Sequence, residues 1–300
     1  MRALFVFTPA ESKRLIGKAV ANLEEVKRAK RHGKILIGHG STNVCVAEEI
    51  LGRERVAQLI NKDTYLSGVI LRGTLCTTPS EEKPPILILN KGIVEQPAPT
   101  MSEILREFSQ DSVFIKGANA VDPEGNAGVF TAHPEGGTIG WSIGTIIARG
   151  IKLIVPVGLE KLVPSVKKSV ALCGQQTLDY CQGLKVGMMP LSSAKVITEV
   201  EALMILAGVE SHHVSSGGNT GSEGSVVLVA EGDTSRIDKA VEIIAQIKGE
   251  PPLMPRKENC SACVISSPAQ TRSGRSAGSP SSCIYQGKTE KEIPFYLRGK

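Results

Sequence analysis

Aromatic side chains are scarce in this 300-residue sequence: they make up 4% of it, with a single tryptophan. Surfaces that bind nucleic acid usually combine basic charge with aromatic stacking platforms. The basic excess lies in residues 251–300, which hold eight Lys or Arg and three Glu, whereas the first 250 residues carry equal numbers of basic and acidic side chains. The folded part of the chain is therefore predicted not to bind nucleic acid.

Long hydrophobic runs are absent as well. No apolar stretch approaches the ~20 residues of a membrane span, and the N-terminal ALFVF is shorter than the ~7–15-residue core of a secretory signal. The seven cysteines are odd in number and dispersed, which favours reduced thiols over a disulfide framework. We therefore expect a cytoplasmic protein with no membrane partner.

The order of strand and helix patterns predicts the architecture. Apolar β-rich runs alternate with helical stretches over 1–182, which predicts an α/β domain with a mostly parallel, Rossmann-like sheet and helices on both faces. One helix is expected from Pro9 to about His32, begun by a capping box at Thr8. Residues 183–250 follow a βαββα order, typical of a ferredoxin-like α+β domain, and 251–300 is predicted to be a flexible, basic, Ser/Pro/Gly-rich tail.

The segment GHGST, residues 38–42, lies between a predicted strand and a predicted helix. Unpaired amides at a helix N-terminus attract anions, and glycines let a ligand approach the backbone. Gly38, Gly40, Ser41 and Thr42 are therefore candidate ligand-binding residues. About half of such turns merely cap a helix, so the pattern by itself leaves both interpretations open.

A second segment, KGANAVDPEGN, begins at Lys116, where another predicted strand ends. Ligands of open α/β sheets lie beyond the carboxyl ends of the strands. Lys116, Gly117 and Asn119 are thus candidates for the same site, whereas residues 122–126 have the composition of an ordinary turn.

A third segment, HPEGGTIG, repeats the glycine turn before a helix and adds a histidine and a carboxylate. Gly136 and Gly137 are candidate ligand-binding residues, and His133 and Glu135 are candidates for moving a proton. The three segments together predict one converged anion site.

In their order, GHGST, GANAVDPEGN and IKLIVPVGLEKLV resemble the superfamily of ribose-5-phosphate isomerase A, glucosamine-6-phosphate deaminase and the CoA-transferases. GANAVDPEG and IVPVGLEKLVP are nearest in motif to its lactate-utilisation branch, and Lys161 stands at the position of that branch's lysine. The resemblance implies an isomerase/CoA-transferase-like domain in residues 1–182, followed by a small lid of ferredoxin-like class.

The departures from that pattern concern catalysis. Lys116 occupies the position of the isomerase's acid/base carboxylate, Asn119 replaces a second aspartate, and Glu135 falls near the family's catalytic lysine. Ribose-5-phosphate isomerase activity is therefore predicted to be absent, because proton transfer between adjacent carbons needs the carboxylate. Glu135 or Glu223 are candidates for the CoA-transferase glutamate, although neither lies in a complete motif.

We expect a small anionic metabolite, a phosphorylated sugar or a CoA ester, as the ligand of these turns. Lys116, Glu135 and His133 are the candidate catalytic residues of an isomerase- or transferase-type reaction. The alternative is a non-catalytic sensing or assembly subunit of the same fold, and a homo-oligomer is left open. The sequence identifies no cofactor, and no metal site is predicted, because Cys260, Cys263 and Cys283 supply three thiolates where a closed zinc site needs four ligands.

Overall fold

The computed structural model describes residues 1–257, 260, 283–285, 288–289 and 291–295. Much of the predicted tail, including Cys263, lies outside these residues. Among the described residues, no group of three or more His, Cys, Asp or Glu side chains is arranged to hold a metal ion. None of the helices in this part of the chain has the length and hydropathy of a membrane span.

The first helix begins where the sequence predicted, because Thr8 and Glu11 form the capping box. The Thr8 hydroxyl accepts a hydrogen bond from the Glu11 amide, and the Glu11 carboxylate accepts one from the Thr8 amide. The predicted single helix is divided in two at the buried Leu23, whose backbone is extended (φ −61°, ψ 136°). The described helices are α1 (Pro9–Asn22), α2 (Glu24–His32), α3 (Ser41–Leu51), α4 (Arg53–Leu59), α5 (Met101–Arg106), α6 (Gly137–Arg149), α7 (Val166–Leu172), α8 (Glu199–Ala207) and α9 (Thr234–Ile247), with a 3-10 turn at Leu159–Lys161.

The strands of the described residues form four sheets, of which the six-stranded one is mixed and the other three are antiparallel. The described strands are β1 (Arg2–Phe7), β2 (Lys34–Ile37), β3 (Gly68–Leu71), β4 (Thr74–Thr77), β5 (Leu87–Asn90), β6 (Ile93–Glu95), β7 (Val113–Ile115), β8 (Ala120–Val121), β9 (Ala127–Thr131), β10 (Lys152–Pro156), β11 (Gly187–Leu191), β12 (Lys195–Ile197), β13 (Glu210–Gly217) and β14 (Ser225–Glu231).

The central sheet has six strands in the order β12-β10-β7-β2-β5-β6. The first four run parallel, and β5 and β6 add two antiparallel pairings at one side. Residues 35–37 of β2 and all of β7 are buried and apolar, as expected for the inner strands of such a sheet. The chain is therefore mixed α/β with a mixed six-stranded sheet, and the finer Rossmann-like assignment stays a prediction.

Strand pairing crosses the boundary predicted at residue 182. Strand β11 pairs with β9, β12 joins the central sheet beside β10, and β14 pairs with both β13 and β1. Residues 183–250 therefore do not form a sheet of their own, as a ferredoxin-like unit does. The reason is that β1 and β9 present edges on which strands from the second half of the chain complete their hydrogen bonds.

Strands β2 and β7 end level with one another, whereas β10 continues beside them to Pro156. Ile37 of β2 pairs with Ile115 of β7, and Ile115 pairs with Ile154 of β10. Immediately beyond these ends, the Gly38 amide donates to the Ile115 carbonyl at 2.9 Å, and the Lys116 amide donates to the Ile154 carbonyl at 3.0 Å. The first two predicted site segments are thus adjacent at the carboxyl edge of the sheet.

Candidate functional site

The turn after β2 leads directly into α3. Asn43 is fully buried, and its side-chain amide donates to the Gly38 carbonyl at 2.7 Å, which holds the turn closed. Gly40 is the residue before the helix, and no side chain in the described part of the chain caps it. The first-turn amides of α3 at Ser41 and Thr42 therefore have no side-chain acceptor, which suits an anion.

The segment after β7 is held in place by hydrogen bonds of Asn119 and Asp122. The Asn119 side-chain oxygen accepts from the Phe130 amide at 2.9 Å, and the Asn119 amide donates to the Gly128 carbonyl at 2.8 Å, so this residue ties the segment to β9. Asp122 closes the following turn by accepting from the amides of Asn126 and Val166, each at 2.9 Å. The turn interpretation of residues 122–126 agrees with this geometry.

The third segment is a glycine turn with left-handed backbone. Gly136 has φ of 80° and precedes α6 without a side-chain cap from any described residue. A Cβ at Gly136 would lie 2.9 Å from Gly140 Cα, and one at Gly140 would lie 2.1 Å from the Glu135 carbonyl. Only glycines fit this close approach of the turn to the helix, and the arrangement exposes a second set of helix N-terminal amides.

One cavity of about 450 Å³ connects the three segments. Its volume lies within the range of small-molecule sites, roughly 300–1,000 Å³. Gly38 and Glu135 lie outside its lining, although both had been predicted as site residues. The predicted residues that do line it are Gly40, Ser41, Thr42, Lys116, Gly117, Asn119, His133, Gly136, Gly137 and Lys161.

Glu135 is placed at the rim. Its side chain is exposed and accepts from the Trp141 indole at 3.1 Å. The Trp141 ring meets the His133 ring edge-on, with centroids 4.9 Å apart, and His133 Nδ1 accepts from the Glu135 amide at 3.1 Å. Trp141 and His133 line the cavity, so this cluster forms a polar and aromatic edge to it. Glu223, in the loop between β13 and β14, is not part of the lining.

Three lysines line the cavity: Lys83, Lys116 and Lys161. Lys83 comes from the loop between β4 and β5 and donates to the Thr77 hydroxyl at 3.3 Å. Lys161 lies on the 3-10 turn and donates to the Ala118 carbonyl at 3.0 Å. Among the described residues that line the cavity, none is Asp or Glu. Its cationic groups are therefore not neutralised by the wall in which they lie.

The enclosure changes the acidity of these groups. Burial, and secondarily the neighbouring Lys161 cation, lower the pKa of Lys116 to about 8. Burial also lowers the pKa of Lys83 and of Lys161 below the ordinary lysine range. Burial makes it costly to hold positive charge on these amines, and a bound anion would remove part of that cost.

His39, the second residue of the GHGST segment, also lines the cavity. Burial lowers its pKa to about 4, assisted by Lys83 and Lys116 and opposed by the Pro84 carbonyl, which lies 2.8 Å from Nε2. Its ring packs on Tyr65 with centroids 4.6 Å apart. His39 is therefore neutral near pH 7 and adds no fourth positive charge.

Sequence patterns did not indicate Lys83, Thr138 or Trp141 as site residues. Thr138 and Trp141 follow the predicted glycine turn on α6, so the periodicity of that helix could have indicated them. Lys83 lies in a loop with no motif, and tertiary packing brings it to the cavity.

No protein family, curated protein or solved structure matches this chain.

Proposed function

We propose that this protein binds a small anionic metabolite, a phosphorylated sugar or a CoA ester, in the cavity bounded by the turns at 38–42, 116–119 and 133–138. One observation carries the proposal: Lys83, Lys116 and Lys161 line a cavity whose described wall has no carboxylate. The uncapped N-termini of α3 and α6 add amide donors to the same wall. Together these groups favour a ligand with at least one phosphate or carboxylate.

The proposed role of each group follows from its position in the cavity. The amides of Ser41 and Thr42, with those at the start of α6, would hold the anionic group, and Lys116, Lys161 and Lys83 would balance its charge. Lys116 stands where the resembled isomerase family has its acid/base carboxylate, so the proposed chemistry is not ribose-5-phosphate isomerisation. Membership of the isomerase/CoA-transferase superfamily is part of this proposal, supported by the order of the three segments along the chain.

A second candidate function is a non-catalytic ligand sensor or assembly subunit of the same fold. The position of Glu135 favours it, because this carboxylate lies outside the cavity lining and is hydrogen-bonded to Trp141. No other carboxylate among the described lining residues replaces it as a proton carrier. Turnover of a bound ligand distinguishes the enzyme from the sensor.

Trp141 gives the test a direct readout, because it is the single tryptophan of the chain and lines the cavity. Inorganic phosphate, ribose 5-phosphate and acetyl-CoA are each titrated while Trp141 emission and thermal stability are recorded. Lys116→Met is compared with Lys239→Met, which changes an exposed lysine on α9.

We expect saturable binding of at least one probe by the wild type and the Lys239 variant. Lys116→Met should weaken it by about tenfold or more, since a charge-assisted hydrogen bond contributes about 1.5–3 kcal/mol. If the wild type binds none of the probes, or if the Lys116 variant keeps the wild-type affinities, the assignment of this site is wrong.

A further inference from the structure

Lys116 differs from the other two cavity lysines in what surrounds its amine. It follows β7 directly, and its own amide is fixed by the Ile154 carbonyl at 3.0 Å. Its side chain lies against Gly38, where an added Cβ would be 3.1 Å from Lys116 Cδ. The aliphatic stem is therefore guided by backbone on a strand end, and Nζ makes one long contact, 3.3 Å, to the Gly117 carbonyl.

No carboxylate of the described residues lies within ion-pair distance of Lys116. The charged group that acts on it is the cation of Lys161, and the neighbouring His39 is neutral. A lysine that is desolvated and faces another cation is the arrangement that activates amines as nucleophiles. The lowered pKa of about 8 gives Lys116 an unprotonated fraction near neutral pH that an exposed lysine lacks.

Lys161 differs from Lys116 in having carboxylates nearby. Burial, and secondarily the Lys13 cation, lower the pKa of Lys161, but Glu160 and Glu199 oppose this shift, and Nζ donates to the Ala118 carbonyl at 3.0 Å. Lys161 is thus placed to remain a cation that holds an anionic group. Lys161 therefore has an electrostatic role, whereas Lys116 has a nucleophilic role when its amine is unprotonated and an electrostatic one when it is protonated.

We propose that Lys116 Nζ forms a Schiff base with a small aldehyde or ketone that also carries a phosphate or carboxylate group. This inference rests on the proposed anion site, which would hold the charged end of the compound while its carbonyl carbon meets the amine. The nitrogen lone pair forms a bond to the carbonyl carbon, and the C=O π electrons move to oxygen. The resulting carbinolamine loses that oxygen with both amine hydrogens as water, which leaves a C=N bond and requires no oxidant or reductant.

Reductive trapping tests this step. The full chain is incubated with glyceraldehyde 3-phosphate or with glyceraldehyde, in the presence of cyanoborohydride, which reduces the C=N bond to a stable amine. Adducts are located by peptide mass mapping at several pH values between about 6 and 9. Lys116→Arg keeps a positive charge without a reactive amine, and Lys239, exposed on α9, is the internal comparison in the same digest.

We expect the phosphorylated probe to label Lys116 about tenfold or more faster than Lys239, with a rate that rises through about pH 8. Sulfate should compete with this labelling, glyceraldehyde should label Lys116 more slowly than the phosphorylated probe does, and the adduct should disappear in Lys116→Arg. Labelling spread evenly over exposed lysines, in a protein that still binds phosphate by Trp141 emission, would overturn the Schiff base and leave the anion site standing. A protein that binds no anion at all would overturn both.

Discussion

Lys116 and Gly38 are in direct contact across the ends of two parallel strands: a methyl group at Gly38 would lie 3.1 Å from Lys116 Cδ and 3.2 Å from the Ile115 carbonyl. The absence of a side chain at Gly38 therefore sets the path of the lysine stem into the cavity. Gly38 contributes to the proposed site in this way although it does not line the cavity.

Replacing Gly38 with alanine should disturb both stability and binding. The carbonyl of Ile115 is backbone and cannot swing aside, so the added methyl should displace the Lys116 stem and cost about 1–3 kcal/mol of unfolding free energy. Phosphate affinity, followed by Trp141 emission, should fall by a factor of several. Urea denaturation gives the stability change.

Gly144→Ala is the matched control for that change. Gly144 lies in the middle of α6, and a Cβ there would meet no atom within 4 Å. Alanine at an unstrained helix position should stabilise the protein by roughly 0.5–1 kcal/mol and leave phosphate affinity unchanged. Equal effects of the two substitutions would contradict the role assigned to Gly38.

Part of this site could be predicted from the sequence, because the conformation of a turn depends on residues that are close together in the chain. The glycines of HPEGGTIG indicated a tight turn before a helix, and Gly136 does have left-handed backbone there. The strand-end position of Lys116 likewise followed from the apolar run before it. Each of these features depends on residues within a few positions of one another.

The remainder depends on long-range packing, which no local pattern encodes. Lys83 reaches the cavity through a loop between β4 and β5, and its sequence surroundings are those of any polar loop. Strand β1 pairs with β14, more than 200 residues later in the chain, so the βαββα order of residues 183–250 did not predict which strands would be neighbours. Glu135 is in the predicted turn, yet its side chain bonds Trp141 at the rim.

A buried ionic cluster links the residues that follow α9 to the first helix. Arg14, on α1, is 2% exposed and pairs with Glu48, with Glu49 at 3.1 Å and with Glu250 at 2.8 Å. Arg14→Met should destabilise the protein by about 3–5 kcal/mol, because it leaves the buried Glu48 carboxylate without its ion-pair partner and removes one of the two cations that pair with Glu250. The double variant Arg14→Met/Glu250→Gln should recover part of the loss in urea denaturation, and a single variant as stable as wild type would contradict this account.

The same cluster predicts sensitivity to acid. Burial acts to raise the pKa of Glu250, yet hydrogen bonds from Arg14 and Arg53 hold it below the ordinary glutamate value, and Lys248 and the Gly249 amide do the same for Glu11. A depressed folded-state pKa gives stability that is present above the unfolded value, about 4.3, and is lost as pH falls through the folded value. Unfolding free energy should therefore drop below about pH 4.3, and the drop should be shallower in Glu250→Gln.

Glu135→Gln separates the two candidate functions. The carboxylate is exposed and outside the cavity lining, so phosphate affinity should stay within about twofold of wild type. Because the substitution alters the partner of the reporter Trp141, affinity is measured by calorimetry. If the best ligand is turned over and turnover disappears in Glu135→Gln, the protein is an enzyme that uses this rim carboxylate; binding without turnover in both proteins supports the sensor.

The acidity of Lys116 predicts how anion binding changes with pH. Burial and the Lys161 cation lower the pKa of Lys116 to about 8, so its positive charge is present at pH 7 and is lost as pH rises through 8. Sulfate is a suitable probe because it does not titrate in this range. Its affinity should fall by about tenfold between pH 7 and pH 9.

The control is Lys116→Arg, in which the guanidinium stays charged, so the fall in affinity should be much smaller. The fall that remains in this variant is due to Lys83 and Lys161, whose pKa values burial also lowers. An equally steep fall in the arginine variant would show that Lys116 is not the cation that meets the anion.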